Sequence, residues 1–518
     1  MLQIQHLTIV HTKDLRTILK DFSCTLNAGD KAVIIGEEGN GKSTLLKWIA
    51  DPVLIEDYAE ADGILSAGRE RLSYLPQQLP LQDGGRTVYE FLCEEPLFFE
   101  TSPGRLAREA SRLGLSADIC YSDQRMGSLS GGEKVKVQLL RLLLSQPTVL
   151  LLDEPSNDID IEALVYLERV IRDFPGIVLF ISHDETLIER TAGVVIHLEQ
   201  VHRKQQCRHT VARMPYAQYA RERLNAFEKQ AQQAASDARD KRIRDEKYRR
   251  ILQSVARAQT TINHAGKDMP DPMQAARNLK DKMHTVKSLK KRFEREDAQM
   301  TEKPVKENPI DFTLGENARP IPAGKTVLDF SLARLAAPGG RLLSTDIRLL
   351  VRGPEKICII GPNGCGKTTL LRAVWEQLKG RTDIRAAYMP QNYADLLDLE
   401  QSPVDCICER GDAEERTMVR TFLGALRFTT AEMEHPAKEL SGGQQAKIFL
   451  LRLNLSGANV LLLDEPTRNF SPLSGPVIRG MLAGFPGAVI SVSHDRKYIE
   501  EVCGTVYELT ERGLLKRF

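Results

Sequence analysis

Short apolar runs recur along this chain at the length of strands buried on both faces: KAVIIG at 31–36, TVLLLD at 148–153 and GIVLFIS at 176–182, with helical stretches between them. Such alternation predicts an α/β domain with a mainly parallel sheet and helices on both sides. Between about residues 203 and 303 the pattern changes. Apolar or small residues at Ala220, Leu224, Phe227, Ala231, Ala234 and Ala238 step by 4, 3, 4, 3, 4, and the register continues to Tyr248, Leu252, Val255 and Ile262. This predicts one helix from about Tyr216 to Ile262, roughly 70 Å long at ~1.5 Å per residue, with one narrow seam. GKDMPDP (Gly266 to Pro272) breaks it, because two prolines and a glycine do not continue a helix. Met273, Ala276, Leu279, Met283, Val286, Leu289 and Phe293 then mark a second seam. Two seams joined by a turn predict an antiparallel helical hairpin with its tip near 260–272.

The strand-rich pattern occurs twice. LLLDEPSND begins at Leu150 and LLLDEPTRN at Leu461; GEEGNGKST (Gly36 to Thr44) recurs as GPNGCGKTT (Gly361 to Thr369), YLPQQ as YMPQN, LSGGEK as LSGGQQ and FISHDE as SVSHDR. Lys42 and Lys367 are 325 positions apart and Gln77 and Gln391 are 314 apart, whereas the pairs Ser130/Ser441, Asp153/Asp464 and His183/His494 are each separated by 311. The second copy is therefore 11 residues shorter before its glutamine and 3 shorter again before LSGG. A repeat of this kind means two related domains, and the expected division is 1–202, a linker at 203–305, and 306–518.

Composition changes this picture in one place. The 518 residues carry a formal net charge of +1, so no overall field names a partner. The linker, however, holds 25 Lys and Arg against 13 Asp and Glu, a surplus of 12 that leaves the rest of the chain near −11. Nine cysteines show no paired metal-site spacing and read as reduced thiols. The N-terminus MLQIQHLTIV lacks the features of a signal peptide, and no apolar run reaches the ~18 residues a membrane span needs. A cytoplasmic location is expected.

The repeated motifs carry the candidate chemistry. A strand that ends in Gly36-Glu37-Glu38-Gly39-Asn40-Gly41-Lys42-Ser43-Thr44 and opens a helix has the P-loop pattern in its required context. Its glycines let backbone N–H groups face phosphate oxygens, Lys42 reaches β- and γ-phosphates, and Ser43 suits magnesium. Gly361-Pro362-Asn363-Gly364-Cys365-Gly366-Lys367-Thr368-Thr369 repeats it. Asp153 and Asp464 end apolar strands at the sheet edge where α/β folds bind ligands, which suits the magnesium shell. Glu154 and Glu465, one residue on, are placed to orient or deprotonate the water that attacks a γ-phosphate. Ser130-Gly131-Gly132 and Ser441-Gly442-Gly443 each open a helix and supply a second anion site.

P-loop, glutamine (Gln77, Gln391), LSGG, Asp-Glu and histidine (His183, His494), in this order, resemble the ATP-binding-cassette nucleotide domain over most of 1–200 and 320–518. The resemblance implies two tandem ABC-type P-loop domains, joined here by a long antiparallel α-helical hairpin linker, that close head to tail within one monomeric chain. Lys42 would share ATP with Ser441, and Lys367 with Ser130; Gln77 and Gln391 would join Ser43, Thr368, Asp153 and Asp464 around Mg2+, and His183 and His494 would contact the γ-phosphate. A basic hairpin without membrane segments is similar to the ABC-F branch, ATPases that act on the ribosome. Its implied partners are large-subunit rRNA near the peptidyl-transferase centre and P-site tRNA. The linker has no sequence-reading RNA module, so shape and backbone contacts are expected, with Thr260, Thr261, Asn263, His264, Lys267, Lys280, Lys282, Lys287, Lys290, Lys291 and Arg292 as candidates. After Asp-Glu-Pro, translation-factor members read close to TNHLD twice; here the segments are SNDID and TRNFSPLSGPVIR, and the latter resembles the antibiotic-resistance group that protects ribosomes. A housekeeping translation factor is the alternative. An importer's tandem-cassette subunit is a third reading, from which a basic hairpin of this size distinguishes the chain.

Overall fold

The computed structural model describes every residue except 158, 202–205, 266–271, 299, 302, 304–312, 317, 338, 409 and 518; in the hairpin helices, the side chains of 258, 261–265, 272, 273, 275, 276, 278, 279 and 298 are also left out. Two compact units result: Met1–Ala217 together with Glu307–Phe518, and Gln218–Lys306.

In the first unit each copy of the repeat builds a six-stranded sheet. The first runs Leu72–Leu75, Val149–Asp153, Ile177–Ile181, Lys31–Ile35, Val194–Val201, Gln206–Ala212 in spatial order, parallel except for its last strand. The second runs Ala386–Met389, Val460–Asp464, Ala488–Val492, Lys356–Ile360, Thr505–Thr510, Gly513–Lys516 with the same exception. All five residues of Val149–Asp153 and of Val460–Asp464 are buried, as unbroken apolar strands inside a helix-covered sheet must be.

Strand Gln206–Ala212 extends the first sheet past the boundary expected at residue 203. It is an edge strand whose mostly exposed side chains, QCRHTVA, read in sequence as the start of a polar linker.

The 11-residue difference between the copies has a structural meaning. In the first copy an antiparallel sheet is ordered Thr17–Leu26, Leu2–His11, Ala59–Ser66, and the third strand lies between the P-loop helix and Gln77. In the second, Thr326–Ala336 pairs with Leu342–Arg352 in a sheet of two strands among the described residues, and helix Lys367–Leu378 is followed directly by the strand Ala386–Met389. The shorter copy has dropped the third strand.

The second unit is a pair of helices, Tyr216–Ala265 and Pro272–Ala298. Their contacts run antiparallel: Asp237 accepts from the Thr301 N–H at 2.8 Å, Arg244 pairs with Glu296 at 2.7 Å, and the Tyr248 and Phe293 rings meet edge to face at 5.8 Å. Residues 266–271 of the expected turn lie outside the described residues. The seam keeps most of the expected register, with Phe227, Ala231, Ala234, Tyr248 and Val255 buried or half-buried, but Leu224 is 59% exposed and Leu252 40%. Lys241 and Arg244 join it, with Lys241 2.9 Å from Asp297 and Arg244 also paired with Asp297 and stacked 4.9 Å from the Phe293 centroid. Long basic side chains bury their stems here while their charges are matched across the hairpin.

Candidate functional site

Each P-loop turns through three glycines with positive φ: Gly36, Gly39 and Gly41 in the first copy, Gly361, Gly364 and Gly366 in the second. Gly41 (φ 87°) leads into helix Lys42–Ala50, and a β-carbon there would come within 2.1 Å of the Ile18 side chain, so both conformation and space demand glycine. Lys42 Nζ donates to the carbonyls of Gly36 (2.9 Å) and Glu37 (3.0 Å), and Lys367 Nζ to those of Gly361 (2.8 Å) and Pro362 (2.9 Å). Asn40 donates to the Leu198 carbonyl at 3.0 Å, anchoring the loop to the sheet.

Behind the first P-loop, the Ser43 hydroxyl donates to Asp153 at 2.9 Å and the Tyr74 hydroxyl to its other oxygen at 3.2 Å. Burial lifts Asp153 to about 6 against the pull of Ser43. Burial likewise raises Asp464, with Thr368 tempering the rise, and its Oδ2 is buried without a hydrogen-bond partner.

The two glutamates share a strained backbone, φ 49° at Glu154 and 54° at Glu465, the kind of conformation that collects at functional sites. Their surroundings differ. Glu154 accepts from Gln77 Nε2 at 2.9 Å and from Asn157, and meets His183 Nε2 at 3.2 Å. Burial alone would raise it, but the His183 bond and charge, with Lys42 and Asn157, outweigh that and hold it at about 2. His183 is raised in turn: burial opposes its charge, and Glu154 prevails. Glu465 is pushed up to about 8 by burial and the adjacent Asp464 charge, and His494 down to about 4 by burial and Lys367. The His494 backbone N–H donates to Glu465 Oε2 at 3.3 Å, while its ring Nε2 stays 3.8 Å from Oε1.

Both LSGG serines cap helices. Ser130 and Glu133 form a capping box at the start of Gly131–Leu144, and Ser441 and Gln444 do so at Gly442–Leu455. The N-termini of these helices face the opposite cassettes. A cavity of about 800 Å³ is lined by Asn363, Lys367, Thr368, Gln391, Glu465 and His494 from the second copy and by Gly131, Ser156 and Asn157 from the first. Across the other junction Glu38 Oε2 accepts from the Gly443 N–H at 2.7 Å, and His183 Nδ1 lies 2.8 Å from the Phe470 carbonyl. Farther out, Arg496 reaches Glu168 (2.5 Å) and Asp184 (3.2 Å), Arg479 reaches Glu185 (2.9 Å), and Lys497 reaches Glu185 (3.0 Å) and Glu189 (2.6 Å).

Sequence reasoning missed Tyr74, Asn157 and the acidic contacts of Glu37 and Glu38. A signal existed for the last pair, since the second copy has Pro362-Asn363 at those positions. In the hairpin, Lys280, Lys282, Lys287, Lys290, Lys291 and Arg292 are exposed, and the Thr260 hydroxyl donates to the Ala256 carbonyl at 3.0 Å. Lys267 and the side chains of Thr261, Asn263 and His264 lie outside the described residues. Among the described residues no helix is long and apolar enough to cross a membrane.

The ABC transporter family model matches residues 19–157 and 344–468, more than half the chain. Among curated relatives, the tylosin resistance ATP-binding protein TlrC of Streptomyces fradiae is 29% identical over 96% of this chain and 95% of its own. The ribosome protection protein VmlR of Bacillus subtilis is 28% identical over 97% and 86%, and ABC transporter F family member 2 of Arabidopsis thaliana 24% identical over 96% and 75%. Of solved structures, the archaeal ribosome recycling factor aABCE1, in complex with the stalk protein aP1, aligns with TM-score 0.57 and 17% identity over 99% of this chain and 90% of that one, which shows the shared fold.

Proposed function

The chain belongs to the ABC transporter family of ATP-binding proteins, in its F branch, and is an ATPase; on that premise we propose that it works in the cytoplasm on the ribosome, binding in an ATP-closed state, protecting the peptidyl-transferase region from antibiotics and leaving on hydrolysis. The observation that carries the ribosome reading is the division of charge: a linker surplus of 12 positive charges between cassettes near −11. Exposed Lys280, Lys282, Lys287 and Lys291 suit rRNA phosphates, whose neutralisation dominates nucleic-acid affinity. The names of TlrC and VmlR favour protection as the purpose.

At each nucleotide, Lys42 or Lys367 holds β- and γ-phosphate oxygens, and the LSGG helix of the facing cassette closes on the γ-phosphate. Glu154, held ionised, orients and deprotonates the attacking water, Glu465 takes the same role once it has released the proton it holds to about pH 8, and His183 and His494 steady the γ-phosphate. The donor set fits Mg2+: a desolvated Asp153 beside the Ser43 hydroxyl, and Asp464 with an unpartnered buried oxygen beside Thr368, would hold the ion, and Gln77 and Gln391 would join them. The ion would supply positive charge to the phosphate oxygens. Expression in a sensitive host tests the purpose. Growth should extend to higher concentrations of peptidyl-transferase-region drugs with the intact chain and not with the Glu154→Gln, Glu465→Gln chain; equal growth of both refutes it.

The housekeeping reading has one observation in its favour, the relative named only as an F family member. A chain that alters translation without changing drug tolerance fits it.

A further inference from the structure

Among the positions where the two P-loops differ are the second and third, Glu37-Glu38 against Pro362-Asn363, and the segments after the Asp-Glu pairs differ too. These departures meet in space. Glu37 Oε1 accepts from the hydroxyls of Ser471 (2.6 Å) and Ser474 (2.8 Å), both in the atypical segment after Glu465. Glu38 Oε2 accepts from the Gly443 N–H at 2.7 Å, and both its carboxylate oxygens lie 3.3 Å from where a β-carbon on Gly442 would sit.

A carboxylate of the first P-loop is thus seated on the N-terminus of the 14-residue helix Gly442–Leu455. Free N–H groups there make an anion site, and in a head-to-tail pair it is the site that receives the terminal phosphate of the nucleotide on Lys42. One N–H cannot serve both anions at full strength, and two negative charges at hydrogen-bond distance repel. The equivalent position at the other junction is Asn363, a neutral side chain on the rim of the 800 Å³ cavity.

We propose that Glu38 is a specificity-determining residue of the first nucleotide site, its carboxylate standing in for a terminal phosphate so that this site favours a nucleoside diphosphate over the triphosphate, while the second site, with Asn363, carries no such bias. Glu37 holds the loop in place by tying it to Ser471 and Ser474. Once ATP on Lys42 has lost its γ-phosphate, Glu38 returns to the vacated N–H and ADP is held at this site, while the second site is free to open. The inference rests on the head-to-tail nucleotide sites proposed above and is independent of the ribosome.

Fluorescent mant-ADP and mant-ATP, titrated with Mg2+ into the full chain carrying Lys367→Ala, report the first site. Mant-ADP should bind more tightly than mant-ATP. Glu38→Gln, which keeps the shape, and Glu38→Asn, which copies the second copy, should each tighten mant-ATP about tenfold relative to mant-ADP, the size of one charge-assisted hydrogen bond. An unchanged ratio in both variants, with melting temperatures showing both folded, overturns the role of Glu38. Binding that survives Lys42→Ala overturns the first nucleotide site itself, and the inference with it.

Discussion

His183 Nε2 stands 3.2 Å from Glu154 Oε1, whereas His494 Nε2 stands 3.8 Å from Glu465 Oε1. In the shorter pair each partner favours the other's charge, with Glu154 held at about 2 and His183 raised. The longer pair is neutral at pH 7, with Glu465 at about 8 and His494 at about 4. One motif repeated in sequence therefore sits in two electrostatic states.

That difference sets a pH dependence of stability. Glu465 keeps its proton in the folded chain between its ordinary value of 4.5 and about 8, where the unfolded chain has released it. At this carboxyl the folded state binds more protons, so its contribution to stability falls as pH rises through this window, by up to about 1.4 kcal/mol per unit, while His494, lowered to about 4, works the other way below 6.5. Glu154 acts oppositely and below it: its contribution is present above 4.5 and is lost as pH falls toward about 2. Melting curves between pH 5 and 8 should show Glu465→Gln gaining on the parent chain as pH rises, and a constant offset would contradict the assignment.

Arg496 tests how the cassettes are held. Its guanidinium is 13% exposed and faces Glu168 and Asp184, at 6% and 11%, on the opposite copy. Arg496→Ala leaves Glu168 to Arg190 and Asp184 to its cap on the Leu187 N–H, and should cost about 1–3 kcal/mol in denaturant unfolding. Lys438→Ala, which breaks the exposed pair with Glu400, should cost no more than about 1 kcal/mol.

In the hairpin, Lys290 and Arg292 pair along their own helix with Glu294 and Glu296. Lys287 and Lys291 are exposed beside them. Reversing Lys287 and Lys291 to Glu should weaken ribosome binding and flatten its salt dependence, the log–log slope shrinking by about one for each phosphate left unneutralised. An unchanged slope returns both lysines to the role of a solvated face.

Much of this molecule was legible in its residues. Strand runs, P-loops, the hairpin and the shortening of the second copy all follow from local pattern and spacing, because the physics that sets them acts between near neighbours. What escaped was long-range. Ser471 lies 434 positions from Glu37, and no local period reports such a pairing. The basic part of the hairpin seam escaped for another reason: a hydrophobic scan rejects Lys241 and Arg244, although matched carboxylates at Glu296 and Asp297 let their stems lie in the interface.

Ribosome engagement in the ATP-closed state is tested most directly by sedimentation of the Glu154→Gln, Glu465→Gln chain with ribosomes in ATP and Mg2+. Losing the general base should lower turnover by about 10²- to 10⁴-fold while ATP still binds. The doubly substituted chain should then accumulate in the ribosomal pellet above the level of the parent; pelleting no better than the parent, with ATP bound, would contradict a closed state that holds the ribosome until hydrolysis.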